Sequence, residues 1–155
     1  MTIEDDIVII ERVPTLRTLG RDALRILAIG AESRYVHDGE VLFNAGDAAD
    51  SGFVVQEGSF RLSGAPSGTG DMVASPGTLL GELALLADTR RPATATALEP
   101  STVIRISRSL FLKMLEGYPR AALVLRDQIV MRAQHALKEM SDVRARLDTS
   151  QMPPQ

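Results

Sequence analysis

Apolar positions along the first thirty residues fall at helical spacing. From Ile3 to Val13, acids and isoleucines mix as in an amphipathic helix, and Pro14, with no N–H and a fixed φ, ends or redirects it. A second helix is predicted over Arg21–Ala31, with Leu24 and Leu27 on one face and Gly30 near its end. From Arg34 to Ser107 the period shortens. Runs of alternating or β-branched residues recur between turn signals at Asp38-Gly39, Ala45-Gly46-Asp47, Glu57-Gly58, the Gly64-to-Gly70 loop and Ser75-Pro76-Gly77. Ala93–Leu98 and Thr102–Ile106 read as neighbouring strands, with Glu99-Pro100 turning between them. Regularly spaced short strands of this kind predict a sandwich or jelly-roll barrel.

Helical spacing returns at Ser107, breaks at Gly117 and Pro119, and resumes from Arg120 to Leu147. Along that last segment Leu125, Ile129, Ala133, Ala136, Met140, Val143 and Leu147 make a narrow apolar seam. The seam packs either on its own barrel or on the same helix of a second subunit. Its length favours the second, a homodimer. The whole predicts an α+β, mainly β fold: a helical segment over 1–33, a jelly-roll β-barrel over 34–107, C-terminal helices over 108–147 and a polar, proline-containing tail over 148–155, together one domain.

One stretch inside the strand region departs from the pattern. Gly81 to Thr94 reads G-E-L-A-L-L-A-D-T-R-R-P-A-T, and Leu83–Leu86 looks like a single helical turn whose N–H groups would favour an anion. Gly81 allows close backbone approach, Glu82 can accept from a hydroxyl, and the Arg91 guanidinium suits a phosphate. Together they describe a site for a sugar phosphate. The alternative is a helix cap beside a surface ion pair, which contributes little.

The rest of the chain decides between these. Val13-Pro14 with Leu16 and Leu19, Asp22-Ala23-Leu24, Gly39-Glu40-Val41-Leu42-Phe43, Ala45-Gly46-Asp47, Phe53-Val54-Val55 and Glu57 to Leu62 stand in the order of the helical entry and first barrel strands of the cyclic nucleotide-binding domain family. From about Val13 to about Leu147 the chain resembles that family, and Leu79 to Thr94 resembles its phosphate-binding cassette. The resemblance implies that Glu82 accepts the ribose 2′-hydroxyl, that Arg91 rather than Arg90 pairs with the cyclic phosphate, and that Leu80, Gly81, Leu83, Ala84, Pro92 and Ala93 surround them. It also implies a C-terminal helix acting as a lid. Placed by Tyr118-Pro119, the base-facing lid positions are Ala136 and Leu137, neither of which can hydrogen-bond adenine.

One residue departs from the family pattern. Pro92 stands where ligand-binding members commonly have Ala, Ser or Thr, and proline has no N–H for the phosphate. A lost donor to a buried anion costs about 1–3 kcal/mol, roughly tenfold to hundredfold in affinity. The missing hydroxyl also tilts the expected ligand toward cAMP over cGMP.

Composition narrows the rest. The chain has 155 residues, 45% hydrophobic, a net charge of −3 and no cysteine, so disulfides and thiol chemistry are excluded. The N-terminus is acidic where a signal peptide is basic, and no run reaches the roughly 18 apolar residues of a membrane span. A cytoplasmic protein is expected. Arginine and lysine concentrate between residues 105 and 146, without an evident reading element, so a solvated helix face is expected rather than nucleic-acid binding by this chain alone. His37 and His135 stand far apart, which suggests neither a metal cluster nor a serine triad, and no Walker loop is present. The expectation is binding without turnover, not an enzyme. The output would come from a separate partner or from a longer protein of which this is the effector part.

Overall fold

In the computed structural model, the residues described are 2–64 and 71–128, with 130, 131, 134 and 138 beyond them. Three helices come first: α1 (Ile3–Glu11), α2 (Pro14–Arg17) and α3 (Arg21–Gly30). Thr2 caps α1, its hydroxyl accepting from the Asp5 N–H at 3.2 Å while the Asp5 carboxylate accepts from the Thr2 N–H. Such a reciprocal cap contributes about 1 kcal/mol. Pro14 does more than close α1, which already ends at Glu11: it opens α2 at its first turn, where its missing N–H has no helical acceptor anyway. Gly30 stands at the end of α3, as expected. A Cβ there would come within 2.6 Å of Leu110, so glycine allows close approach of the next helical layer.

Ten strands follow: β1 (Glu32–Val36), β2 (Val41–Phe43), β3 (Ala48–Ala49), β4 (Ser51–Glu57), β5 (Phe60–Ser63), β6 (Met72–Ala74), β7 (Leu79–Leu80), β8 (Thr89–Arg90), β9 (Thr94–Ala97) and β10 (Ser101–Ser107). They form two four-stranded antiparallel sheets, β1-β10-β4-β7 and β2-β9-β5-β6, and a short ribbon of β3 with β8. Eight strands in two facing sheets are the jelly-roll arrangement. Ser107 then caps α4 (Arg108–Gly117) by accepting from the Leu110 N–H, and a further helix starts at residue 119 and runs through 128. The fold is α+β and mainly β, with helices flanking antiparallel sheets.

The alternation along β4 and β10 produces two cores from one sheet. Phe53, Val55 and Val103 point between the sheets and join Leu42, Phe60, Ala95 and Ala97. Val54, Ile104 and Ile106 point the other way, against α1, α3, α4 and the helix after it. Both faces of these strands are covered, which is why they read as nearly continuous apolar runs. Each large side chain buried this way contributes about 1.5–3 kcal/mol. Between the two cores lies the segment from Gly81 to Ala93.

Candidate functional site

Gly81 starts the segment in the left-handed region, at φ 81°, a conformation in which a Cβ is strained. A Cβ here would also meet the Arg91 guanidinium and lie 3.2 Å from the Ser51 carbonyl oxygen. Glycine therefore makes the room into which Arg91 extends. Glu82–Leu85 next forms a single 3-10 turn, tighter than the α turn its apolar run suggested. The Ala84 N–H, one of the two backbone donors expected to face an anion, is given to the Gly81 carbonyl at 3.1 Å. Leu83 is exposed, whereas Leu80 and Ala84 are buried.

Arg91 is fixed at its backbone and enclosed at its side chain. Its N–H donates to the Asp47 carbonyl and its carbonyl accepts from the Gly46 N–H, both at 2.8 Å, tying it to the turn after β2. The side chain is only 5% exposed. Its guanidinium carbon sits 4.4 Å from the Phe43 ring centroid and 5.4 Å from that of Phe53, and Nη2 donates to the Ser51 hydroxyl at 3.3 Å. Nη1 is buried without a hydrogen-bond partner among the described residues. Burial lowers the guanidinium pKa from its usual value, with Asp50 opposing and Arg105 adding to the effect. A desolvated cation with an uncommitted donor is arranged to take an anion. Arg90, by contrast, is exposed and donates to the Gly46 carbonyl at 2.9 Å. Pro92 is exposed and Ala93 buried beside it.

Glu82 faces the other core. Its Oε1 accepts from the Thr15 hydroxyl of α2 at 3.2 Å, and it lines a cleft of about 10 Å³ with Leu16, Leu79, Leu85, Phe111 and Leu125. The structure thus brings Gly81 and Arg91 together at the sheet core. Glu82 meets the helical layer through Thr15.

Several residues that shape the site carry no sequence signal of their own. Phe43 and Phe53 read only as inward strand positions, and Ser51 as the start of a strand. Thr15 lies 67 positions from Glu82, and no local pattern links them. Asp50 and Arg105 pair at 3.4 Å at the edge of the Arg91 environment. Desolvation pulls the Asp50 pKa up, but the Ser51 hydroxyl and Arg105 outweigh it and hold the carboxyl below its usual value. Arg108, at the start of α4, donates to the Ala84 carbonyl at 2.9 Å and to the Ala49 carbonyl, and so clamps the segment to the helices. The lid positions Ala136 and Leu137 and the seam after Leu125 lie outside the described residues, as does His135. His37 is exposed, its ring edge-on to Tyr35. Among the described residues no cluster of metal-ligating side chains occurs, and no helix is long and apolar enough to cross a membrane.

Known proteins are similar to this chain in sequence and fold. An uncharacterized NTE family protein of Mycobacterium tuberculosis is 34% identical over 110 residues, 71% of this chain and 19% of that protein. The chain therefore spans about a fifth of the length of the mycobacterial relatives it matches. A cyclic nucleotide-binding-like protein from Brucella abortus superposes with a TM-score of 0.63 at 37% identity, covering 72% of this chain and 98% of that one. The N-terminal domain of a transcriptional regulator from Streptomyces coelicolor superposes with a TM-score of 0.75 at 26% identity, covering 85% and 94%. The sequence model described as the cyclic nucleotide-binding domain matches residues 33–118, which run from β1 through α4 and include the Gly81, Glu82 and Arg91 segment, and on that match the chain belongs to the cyclic nucleotide-binding domain family.

Proposed function

We propose that the chain is a non-enzymatic sensor or regulatory domain that binds a cyclic nucleotide, cAMP in preference to cGMP, and passes binding on through its C-terminal helix. The observation that carries this reading is Arg91: a residue 5% exposed, its guanidinium against Phe43 and Phe53, with Nη1 uncommitted beside Gly81. Leaving a buried donor of a charged group without a hydrogen-bond partner costs free energy, and an anion placed beside Nη1 would recover it. In this reading the cyclic phosphate meets Arg91, Glu82 takes the ribose 2′-hydroxyl, and Ala136 and Leu137 cover the base by apolar contact. A homodimer through the C-terminal seam is part of the same proposal. So is an output carried by a partner or by a longer polypeptide, as in a transcription regulator.

A second reading keeps the fold and dimerises without binding nucleotide. Pro92, with no N–H beside Arg91, favours it. Calorimetric titration with cAMP and cGMP, with Arg91→Ala as control, separates the two. Absence of both heat and thermal shift at millimolar cAMP sinks the sensor reading, and saturable binding that survives Arg91→Ala moves the site elsewhere. Sedimentation of the full chain against a truncation before Arg132 tests the dimer, which a monomer in both would remove.

A further inference from the structure

Helix α2 holds the carboxylate that the proposed ribose contact needs. Thr15 is 5% exposed, and its hydroxyl donates to Glu82 Oε1 at 3.2 Å. The carboxylate is thereby kept among Leu16, Leu85, Phe111 and Leu125, in the helical core, while Arg91 stands in the sheet core against Phe43 and Phe53. A ligand 2′-hydroxyl that reaches this carboxylate meets an acceptor already engaged by Thr15.

The same helix reaches the C-terminal segment. The Thr18 hydroxyl donates to the Thr15 carbonyl at 3.1 Å and accepts from Gln128 Nε2 at 2.9 Å. A hydrogen-bonded route therefore runs from Glu82 through Thr15 and Thr18 to Gln128, on the helix that starts at residue 119. Its middle is a four-residue helix with no side-chain cap. A single turn of helix has little stability of its own and depends on its neighbours. Releasing Thr15 would loosen the piece that joins the cassette to that helix.

We propose that Thr15 and Glu82 form an autoinhibitory latch: the Thr15 hydroxyl competes with a ligand 2′-hydroxyl for the Glu82 carboxylate, and its displacement loosens the polar tie between α2 and the cassette, while Leu16 keeps α2 in the helical core. The inference rests on the cyclic-nucleotide reading of the site, with Glu82 as the ribose acceptor. It deepens that reading by naming what the nucleotide must displace. The Thr15 bond favours the unliganded arrangement, and a ligand without a 2′-hydroxyl has no reason to open it.

Thr15→Val keeps the shape and removes the donor. Titrated calorimetrically, the Thr15→Val full chain is expected to bind cAMP roughly three- to tenfold more tightly than wild type. Binding of 2′-deoxy-cAMP should be unchanged, and Thr15→Ser, which retains a hydroxyl, should match wild type for both. An equal gain for both nucleotides, or none for cAMP, overturns the latch. Should Thr15→Val fail to fold, hydrogen exchange on wild type decides the same question: amides of Thr15–Leu19 exchange faster with cAMP bound but not with 2′-deoxy-cAMP, and identical protection refutes it. A double-mutant cycle of Thr15→Val with Glu82→Leu, which removes the acceptor, read by unfolding without nucleotide, tests the contact alone. Coupling in that cycle with no binding of either nucleotide at millimolar concentration overturns the sensor reading and the competition together, leaving only a structural contact. No coupling removes the latch whatever binds.

Discussion

Replacing Arg91 by methionine should leave the nucleotide-free domain at least as stable as wild type and abolish nucleotide binding. The guanidinium is 5% exposed, and its Nη1 has no partner among the described residues. Removing an unsatisfied buried donor relieves about 1–3 kcal/mol. A thioether in its place keeps contact with Phe43 and Phe53, worth about 0.3–1.5 kcal/mol. Against this stand the Nη2 bond to Ser51, long at 3.3 Å and worth about 1 kcal/mol, and the cation–π contact at 4.4 Å, about 0.5–2 kcal/mol. The Ser51 hydroxyl is not orphaned, because it also bonds Asp50. The sides nearly cancel, with a balance of about 1 kcal/mol toward the variant, or about 2–4 °C in Tm for a chain of this size.

Urea unfolding of the ligand-free chain measures that balance, and an unchanged m-value confirms that the same surface unfolds. Titration with cAMP measures the other half. Losing two charge-assisted hydrogen bonds removes about 3–6 kcal/mol, at least a hundredfold in affinity. A loss of stability greater than about 2 kcal/mol would refute the reasoning, because the guanidinium would then be holding the sheets together rather than waiting for an anion.

Gly81→Ala should lower stability by about 1–2 kcal/mol from the left-handed backbone alone, and should weaken cAMP binding further by displacing the guanidinium, both readable from unfolding and titration of one preparation. Pro92→Ala changes an exposed residue, so the fold should tolerate it, and a restored N–H should tighten cAMP by roughly tenfold to hundredfold; unchanged affinity would mean that the phosphate does not need this donor. Asp6 has its pKa raised above the ordinary 3.8 by burial, with the bond from Gln56 opposing. A raised native pKa means that stability from this group is full below 3.8 and falls as pH rises through the native value. Asp6→Asn keeps an acceptor for Gln56 without the charge. Its Tm should therefore match wild type at the acid end and gain on it as pH rises through that window, and a constant difference across pH would contradict this.

Period and punctuation made most of the fold legible. The 3.6 period gave α1 and α3, glycine-marked turns gave the strand region, and Ser107 gave the start of α4 within a residue. What stayed hidden was set by partners distant in sequence. Two-residue strands such as Ala48–Ala49 and Thr89–Arg90 are too short to have a period and exist because they pair with each other. Gly30 marked the end of α3 correctly, but its approach to the Leu110 side chain, eighty positions on, carries no local signal. The cassette was legible as glycine, carboxylate, turn and arginine in order. The direction in which Glu82 points was not, because Thr15 decides it from another helix.

Arg91 and Glu82 are held by different parts of the fold, and that has a consequence for how the proposed ligand would act. The Arg91 backbone is locked to Gly46 and Asp47 and its side chain is walled by two phenyl rings of the sheet core, so an anion meets a group already in place. Glu82 accepts from Thr15 of a single-turn helix, and the segment that carries it is clamped to α4 by Arg108 through the Ala84 carbonyl. Under the proposed reading, phosphate recognition is rigid and ribose recognition is coupled to motion. Inorganic phosphate could satisfy Arg91 without disturbing α2 or α4. A nucleotide that also claims Glu82 must draw on Thr15, and only that second contact favours one arrangement of the helices over the other.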